Sequence, residues 1–416
     1  VNRRAVTAWA LYDWANSAFA TVVIAGFFPL LFQDYWSTDV GPAASNLRLG
    51  GASAVASLML IAVAPLLGAM ADRLGARKRL LFTFAVPGMF ATAALAWVPG
   101  GAWMSAAALY VCASVGFMGA NVFYDALLVN VAPPSRWDAV SGLGYGLGYL
   151  GGGLLYLGCV LAALNPSALG FADAGAAARA GFVATAVWWG VFALPLARRV
   201  PERRRHPEAG AWQAGWRELA GTLRHLSAVR PVLVFLLAYW LYIDAVHTVI
   251  RMAVAYGRAL GFGRDDLIVA LLVVQFVGFP AAILYGRLGE RWGPRRGIYA
   301  GLLVYAAICV WGAFIESAWE FYVIAVLVGL VQGGVQALSR SLYARLIPPG
   351  RAGEFFGFYN LLGKFAAVLG PPLFGVFGTV FGSVRFSMLS LIVLFAVGAA
   401  VLARVPESAF RAGDGS

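Results

Sequence analysis

Apolar residues run in stretches of about twenty before a charge, proline or glycine interrupts them, the length a helix needs to cross a bilayer core of about 30 Å. The interruptions predict helices near 9–33, 48–71, 80–98, 103–132, 139–164 and 180–197, then 231–256, 266–286, 297–315, 319–347, 354–381 and 385–403. That is six and six, about twelve crossings. Between the sets lies 198–230, rich in arginine and carrying Glu202, Pro207, Glu208 and Glu218. It is too polar to span and long enough to form an amphipathic surface helix against anionic headgroups. The chain therefore divides into an N-terminal six-helix bundle over 1–197, a cytoplasmic basic linker over 198–230, a C-terminal six-helix bundle over 231–403 and a cytoplasmic tail over 404–416.

Composition fixes the solvent. With 61% hydrophobic and 12% charged residues and a mean hydropathy of +0.78, a water-soluble globule is excluded and an all-α polytopic membrane protein is expected. Cys112, Cys159 and Cys309 lie in apolar runs, are odd in number and show neither a disulfide framework nor metal spacing, so they are expected to pack the core. The net charge of +12 does not form a nucleic-acid stripe. Its bases cluster in alternate loops: Arg73, Arg77, Lys78 and Arg79, the linker arginines, and Arg287, Arg291, Arg295 and Arg296. The intervening loops carry few, mainly Arg48, Arg179, Arg258, Arg264 and Arg385. The positive-inside rule puts the first set and both termini in the cytoplasm, as expected for a bacterial inner membrane. Asp13 and Asn16 interrupt the first apolar run, which reads as an uncleaved helix rather than a signal peptide.

The chain also repeats itself. Gly68-Ala69-Met70-Ala71-Asp72-Arg73-Leu74-Gly75-Ala76-Arg77-Lys78 is echoed from Gly286 to Arg296, 218 positions on, with Glu290 in the place of Asp72. Ala132-Pro133-Pro134-Ser135-Arg136 matches Ile347-Pro348-Pro349-Gly350-Arg351 at an offset of 215, and Gly142 matches Gly357. Parallel six-helix repeats place substrate sites near the midplane between the halves. The paired loops resemble the signature of the major facilitator superfamily. Tyr12-Asp13-Trp14-Ala15-Asn16-Ser17, Phe123 to Leu128, Gln332 to Ser341 and Glu354 to Asn360 are similar to the bacterial relatives of autophagy-linked vacuolar amino-acid effluxers, the group called "unknown major facilitator". That resemblance implies a monomeric rocking transporter, and amino-acid export. The fifth helix, with Gly148-Tyr149-Leu150-Gly151-Gly152, lacks the proline of many antiporters, so antiport is not established by motif.

Ionisable residues inside helices cost at least about 2.5 kcal/mol at the bilayer centre and are the first functional candidates. Asp244 lies 13 residues past Pro231, about 20 Å along a helix. His247 and Arg251 share its face, and the three suit the two ends of a zwitterion, with Asp244 also able to carry a proton; an internally neutralised pair is the bland alternative. Asp13, with Asn16 and Ser17, gives the first helix a second proton-site candidate, and Asp125 gives the fourth helix a third. Asp125 and Arg340 are equivalent at an offset of 215 and suggest an ion-pair gate, against local pairing and snorkelling. Asn121 with Tyr124 and Asp125, Gln332 with Gln336 and Arg340, and Asn360 with Lys364 form polar stripes that suit a cavity lining or helix–helix hydrogen bonds. Asp72, Arg73 and Arg77, with Glu290, Arg291 and Arg295, suit a conformational latch in which the acids accept hydrogen bonds from helix N-termini. The alternative is that they mark topology. Gly144, Gly148 and Gly152 recur every four residues and read as packing.

Among the three histidines, His206 and His225 fall in the linker, so no metal or nucleophile set emerges and neither an enzyme nor a cofactor is expected. Duplication and charged faces favour alternating access over a channel. The expected function is a secondary transporter of a small polar or zwitterionic solute, an amino acid first, with efflux and proton coupling favoured. Export of hydrophobic drug or lipid cargo, or a sensor on the same fold, stays open.

Overall fold

A computed structural model describes residues 2–202, 230–365, 369–382 and 384–406. A backbone in hydrocarbon must satisfy its own N–H and C=O groups, and this chain does so with helices. They are α1 (Arg3–Trp36), α2 (Pro42–Leu74), α3 (Arg77–Ala94), α4 (Trp103–Ala126), α5 (Trp137–Leu164), α6 (Ala174–Arg199), α7 (Arg230–Ala259), α8 (Arg264–Trp292), α9 (Pro294–Gly312), α10 (Ala318–Leu346), α11 (Ala352–Phe365), α12 (Gly370–Val380) and α13 (Val384–Ala403). Among the described residues, ten stretches are long and apolar enough to cross a membrane. The 19-residue α9 and the α11–α12 pair complete six and six.

Local chemistry sets the ends. Asn2 accepts from Arg4 N and Ala5 N at 3.1 and 3.3 Å and starts α1. Gly75, at φ 58°, closes α2 in the left-handed conformation that only glycine adopts freely. Glu320 returns to Ser317 N at 3.0 Å and opens α10 with a capping box. Within α1 the backbone passes through two π-helical stretches, Phe19–Phe27 and Phe32–Trp36. The continuous helix expected over 354–381 is instead two, because Pro371 and Pro372 supply no N–H for a helical ladder and belong to the first turn of a new helix.

The molecule divides into two compact units: Val1–Val131, Leu147–Trp216 and Gly353–Gly357 form one, and Ala132–Gly146, Arg217–Ala352 and Phe358–Ser416 the other. In the first, α4 packs on α2 and α3, and α6 on α1 and α3. In the second, α10 packs on α8 and α9, and α13 on α7 and α9. The same four pairings occur twice, which is the duplication seen in the sequence expressed as packing. Large apolar side chains such as Leu58, Phe90, Leu303 and Phe314 are exposed, as lipid-facing residues must be. Cys159 and Cys309 are buried, whereas Cys112 is exposed and does not pack the core. Most of the basic linker, 203–229, and of the tail, 407–416, lies outside the described residues.

Candidate functional site

The first cluster forms where α2 ends. Asp72 is 9% exposed, one turn before the Gly75 cap. Its Oδ1 accepts from Gly353 N at 2.8 Å and its Oδ2 from Glu354 N at 3.0 Å. These are unpaired donors of the first turn of α11, where the helix dipole favours an anion. Arg77 grips the same carboxylate through Nε at 2.8 Å and Nη2 at 2.7 Å, and donates onward through Nη1 to Asn130 Oδ1 at 2.5 Å. Glycines let the helices approach: a Cβ on Gly68 would meet the Gly353 carbonyl oxygen, and one on Gly357 would lie 2.8 Å from Pro65 Cα. The second unit repeats the crossing but not the chemistry. Cβ atoms on Gly286 and Gly142 would each fall 2.6 Å from a carbonyl oxygen, of Asp138 and Ala282. Glu290, however, faces Arg136 at 3.4 Å, and its Oε1 is buried with no hydrogen-bond partner among the described residues. Arg73 is half-buried and Arg291 exposed. Arg295 donates to Val405 O at 3.2 Å and Ala403 O at 2.9 Å.

The second cluster lies inside the first unit, on α1 and α4. Asp13, Asn16 and Tyr124 are 8%, 2% and 1% exposed. Tyr124 Oη donates to Asp13 Oδ2 at 3.0 Å, and Asn16 Nδ2 donates to Asn121 Oδ1. Trp9 stacks on Tyr124 with centroids 4.5 Å apart and donates to its carbonyl at 3.0 Å, which holds the phenol in place. α5 rests on this face through glycines: a Cβ on Gly148 would lie 2.6 Å from Ser17 Oγ, and one on Gly152 2.6 Å from Thr21 Oγ1.

In the second unit, Asp244 is fully buried on α7. Its Oδ2 accepts from Leu369 N at 2.9 Å and its Oδ1 from Gly370 N at 2.8 Å, with Thr248 Oγ1 3.3 Å from Oδ1. His247 is half-buried and Arg251 exposed. Arg340, 1% exposed, donates to Ser141 Oγ at 2.9 Å and Ser141 O at 3.0 Å, and lies 4.4 Å above the Tyr145 ring. Asp125, 7% exposed, belongs to the first unit. Gln332 and Gln336 are half-buried on α10, and Gln332 Oε1 has no hydrogen-bond partner among the described residues. Asn360 is buried on α11 at 8% exposure, and the Lys364 side chain lies outside the described residues.

A helical protein duplicated in this way, with an acid in a loop signature holding a helix end, matches a known family. The family model described as "Vacuole effluxer Atg22 like" covers residues 51–135 and 129–412. The uncharacterized MFS-type transporter YxiO of Bacillus subtilis is 39% identical over 404 residues, 96% of this chain and 94% of that protein. The chain belongs to the Atg22-like effluxer family. Autophagy-related protein 22-1 of Aspergillus niger is 26% identical over 280 residues, 61% of this chain but 45% of the fungal protein, so this match spans under half of that relative's length. Among solved structures, the proton:xylose symporter XylE superposes with a TM-score of 0.75 at 14% identity, over 97% of this chain and 96% of that one. FucP in an outward conformation gives 0.72 at 14%, over 98% and 99%. The fold is that of the major facilitator superfamily, and the chain is a multi-pass membrane transporter.

This Atg22-like chain also contains clusters that sequence reasoning missed. Asp138, 1% exposed, takes both guanidinium arms of Arg345 at 2.8 and 3.0 Å and the Ser341 hydroxyl. Arg345 aligns with Asn130 at the 215 offset of the repeats. That correspondence is the signal of a repeated position but does not point to Asp138, since Asn130 serves Arg77 instead. Four tyrosines gather in the second unit: Tyr239 stacks on Tyr359 at 4.3 Å, Tyr343 on Tyr359 at 5.0 Å, and Tyr242 Oη is 2.7 Å from Ser339 Oγ. Aromatic residues in apolar runs carry no such signal. At the end of α6, Lys78 Nζ donates to Ala197 O and Val200 O at 2.9 and 2.8 Å, while Glu202 accepts from Lys78 N at 3.0 Å and caps α3. Burial raises the Glu202 carboxyl above its usual range, against the amide and cationic neighbours that lower it.

Proposed function

We propose that this Atg22-like transporter exports a small polar or zwitterionic solute, amino acids first, by proton-coupled alternating access, with both termini in the cytoplasm of an inner-membrane protein. The observation that carries the reading is the Asp13–Tyr124–Asn16–Asn121 cluster: a carboxylate, a phenol and an amide buried in an apolar bundle, with a half-buried second amide on Asn121. Such a group is costly to insert and is retained where it handles charge or a polar ligand. Its chemistry suits an ammonium group or a proton. A hydroxyl can donate to a carboxylate or accept from a carboxylic acid, so Tyr124 can remain bonded in either state of Asp13. Asp244 is held by two backbone N–H groups at 2.9 and 2.8 Å, which only donate, with the Thr248 hydroxyl farther off at 3.3 Å. Between these two, Asp13 is therefore the one we assign to coupling.

Counterflow of a radiolabelled amino-acid panel into proteoliposomes tests the reading, with wild type beside Asp13→Asn. Wild type is expected to exchange at least one amino acid, and Asp13→Asn to lose accumulation driven by a pH gradient. Absence of exchange by folded wild type refutes the solute class and brings hydrophobic or lipid cargo forward. Gradient-driven accumulation that survives in Asp13→Asn refutes the coupling assignment.

A further inference from the structure

Gly370-Pro371-Pro372 opens α12 in the middle of the second unit. Prolines fit the first turn of a helix, but they donate no hydrogen bond to a preceding one, so the chain here presents a helix start at a buried position, Gly370. Free N–H groups at such a start need an acceptor, because lipid offers none. Leu369 N and Gly370 N both find it on Asp244, fourteen residues into α7 from Arg230, at 2.9 and 2.8 Å. Thr248, one turn further along α7, donates to the Asp244 carbonyl at 2.8 Å and stands 3.3 Å from Oδ1. Gly370 makes the approach possible: a Cβ there would overlap Thr248 Oγ1 and lie 2.6 Å from Asp244 Oδ1.

We propose that Asp244 is a positioning residue for transport: its carboxylate pins the start of α12 to α7, with Thr248 and Gly370 completing the fastening, and it does not bind the solute. Each of its oxygens already accepts a backbone N–H, and the residue has no exposed surface. A solute amine arriving at Asp244 would have to displace a helix end. The pin holds a helix whose own ladder the prolines have cut, and so it sets how α12 stands on α7 during the transport cycle. The mechanical part is independent of the solute; the consequence for turnover rests on the transport reading above.

Hydrogen–deuterium exchange on the full-length protein in nanodiscs tests the pin without any solute. In Asp244→Asn, at least one of the Leu369 and Gly370 amides is expected to exchange about tenfold faster or more, since the amide side chain keeps a single acceptor oxygen and loses the charge. Gly370→Ala is expected to do the same by crowding, and Thr248→Ser to behave as wild type. Unchanged protection of both amides in Asp244→Asn and Gly370→Ala overturns the proposal, with protection of α13 serving as the check that each variant is folded. Once a transported solute is in hand, Asp244→Asn is expected to lower turnover at least tenfold with KM within about twofold of wild type. A raised KM with turnover intact would make Asp244 a solute ligand and end the proposal. If wild type transports nothing in the panel, the transport reading fails while the exchange result still decides the pin.

Discussion

Replacing Asp72 by asparagine separates a latch from a topology marker. The wild-type carboxylate accepts Gly353 N and Glu354 N from α11 and two guanidinium donors from Arg77. The substituted amide is least strained with its NH2 in the place of Oδ2, which serves only Glu354 N among the bonds described, and its carbonyl in the place of Oδ1. One buried N–H then loses its acceptor, at about 1–3 kcal/mol. The Arg77 contacts also fall from charge-assisted to ordinary hydrogen bonds, roughly halving their strength. A net loss of about 2–3 kcal/mol corresponds to about 30- to 140-fold in the equilibrium between a docked and a released first turn of α11. A cysteine at Ala352, which is 2% exposed and begins α11, reads this directly in a protein freed of Cys112, Cys159 and Cys309. Its reaction rate with a water-soluble maleimide should rise by that factor in Asp72→Asn. Gly68→Ala should raise it too, since the added Cβ meets the Gly353 carbonyl without touching any charge. Equal labelling rates in wild type and both variants, with all three folded, would refute the latch.

Three further outcomes follow from the geometry. Burial raises the Glu202 carboxyl in the folded state, so its contribution to stability is fully present below the ordinary glutamate value and is lost as pH rises through the folded one; in Glu202→Gln, thermal unfolding followed over that interval should lose this part of its pH dependence. Arg345→Met should destabilise by about 3–5 kcal/mol by stranding Asp138, and adding Asp138→Asn should recover a large part of it in a double-mutant cycle. Gly148→Ala should cost about 1–3 kcal/mol through its clash with Ser17 Oγ, and Ser17→Gly should relieve it; additive effects in chemical denaturation would argue against that contact.

The duplication was legible because the glycines that let helices touch, Gly68 and Gly286, Gly142 and Gly357, must recur wherever the same crossing recurs. Acids at fixed spacing were legible for the same reason. Asp72 and Asp13 stood out as charges beside or within apolar runs, and their burial is what makes such charges conspicuous. Partners were a different matter. Asp138 and Arg345 are 207 residues apart and sit beside basic loops, where charge is commonplace, so nothing local announced a buried pair. The helix start at Gly370 was written in two prolines, but hydropathy alone reads straight through them. The acceptor that it needs lies 126 positions earlier, on Asp244, and only the fold brings the two together.

The π-helical stretch Phe19–Phe27 bears on how this chain compares in length with its relatives. Its bonds reach five residues back, as Phe28 N does to Val23 O, so the stretch holds one residue more than an α-helical path would need. Elsewhere in a helix, removing a residue turns everything beyond it by about 100° and takes a packed face out of register. Within Phe19–Phe27 a deletion can instead be absorbed by reverting to the shorter bond, keeping both the polar face at Asp13 and the aromatic packing of Phe28 and Trp36 in register. Gaps in alignments of the first helix should therefore collect in this window, where a lost residue is a change of winding rather than a change of fold.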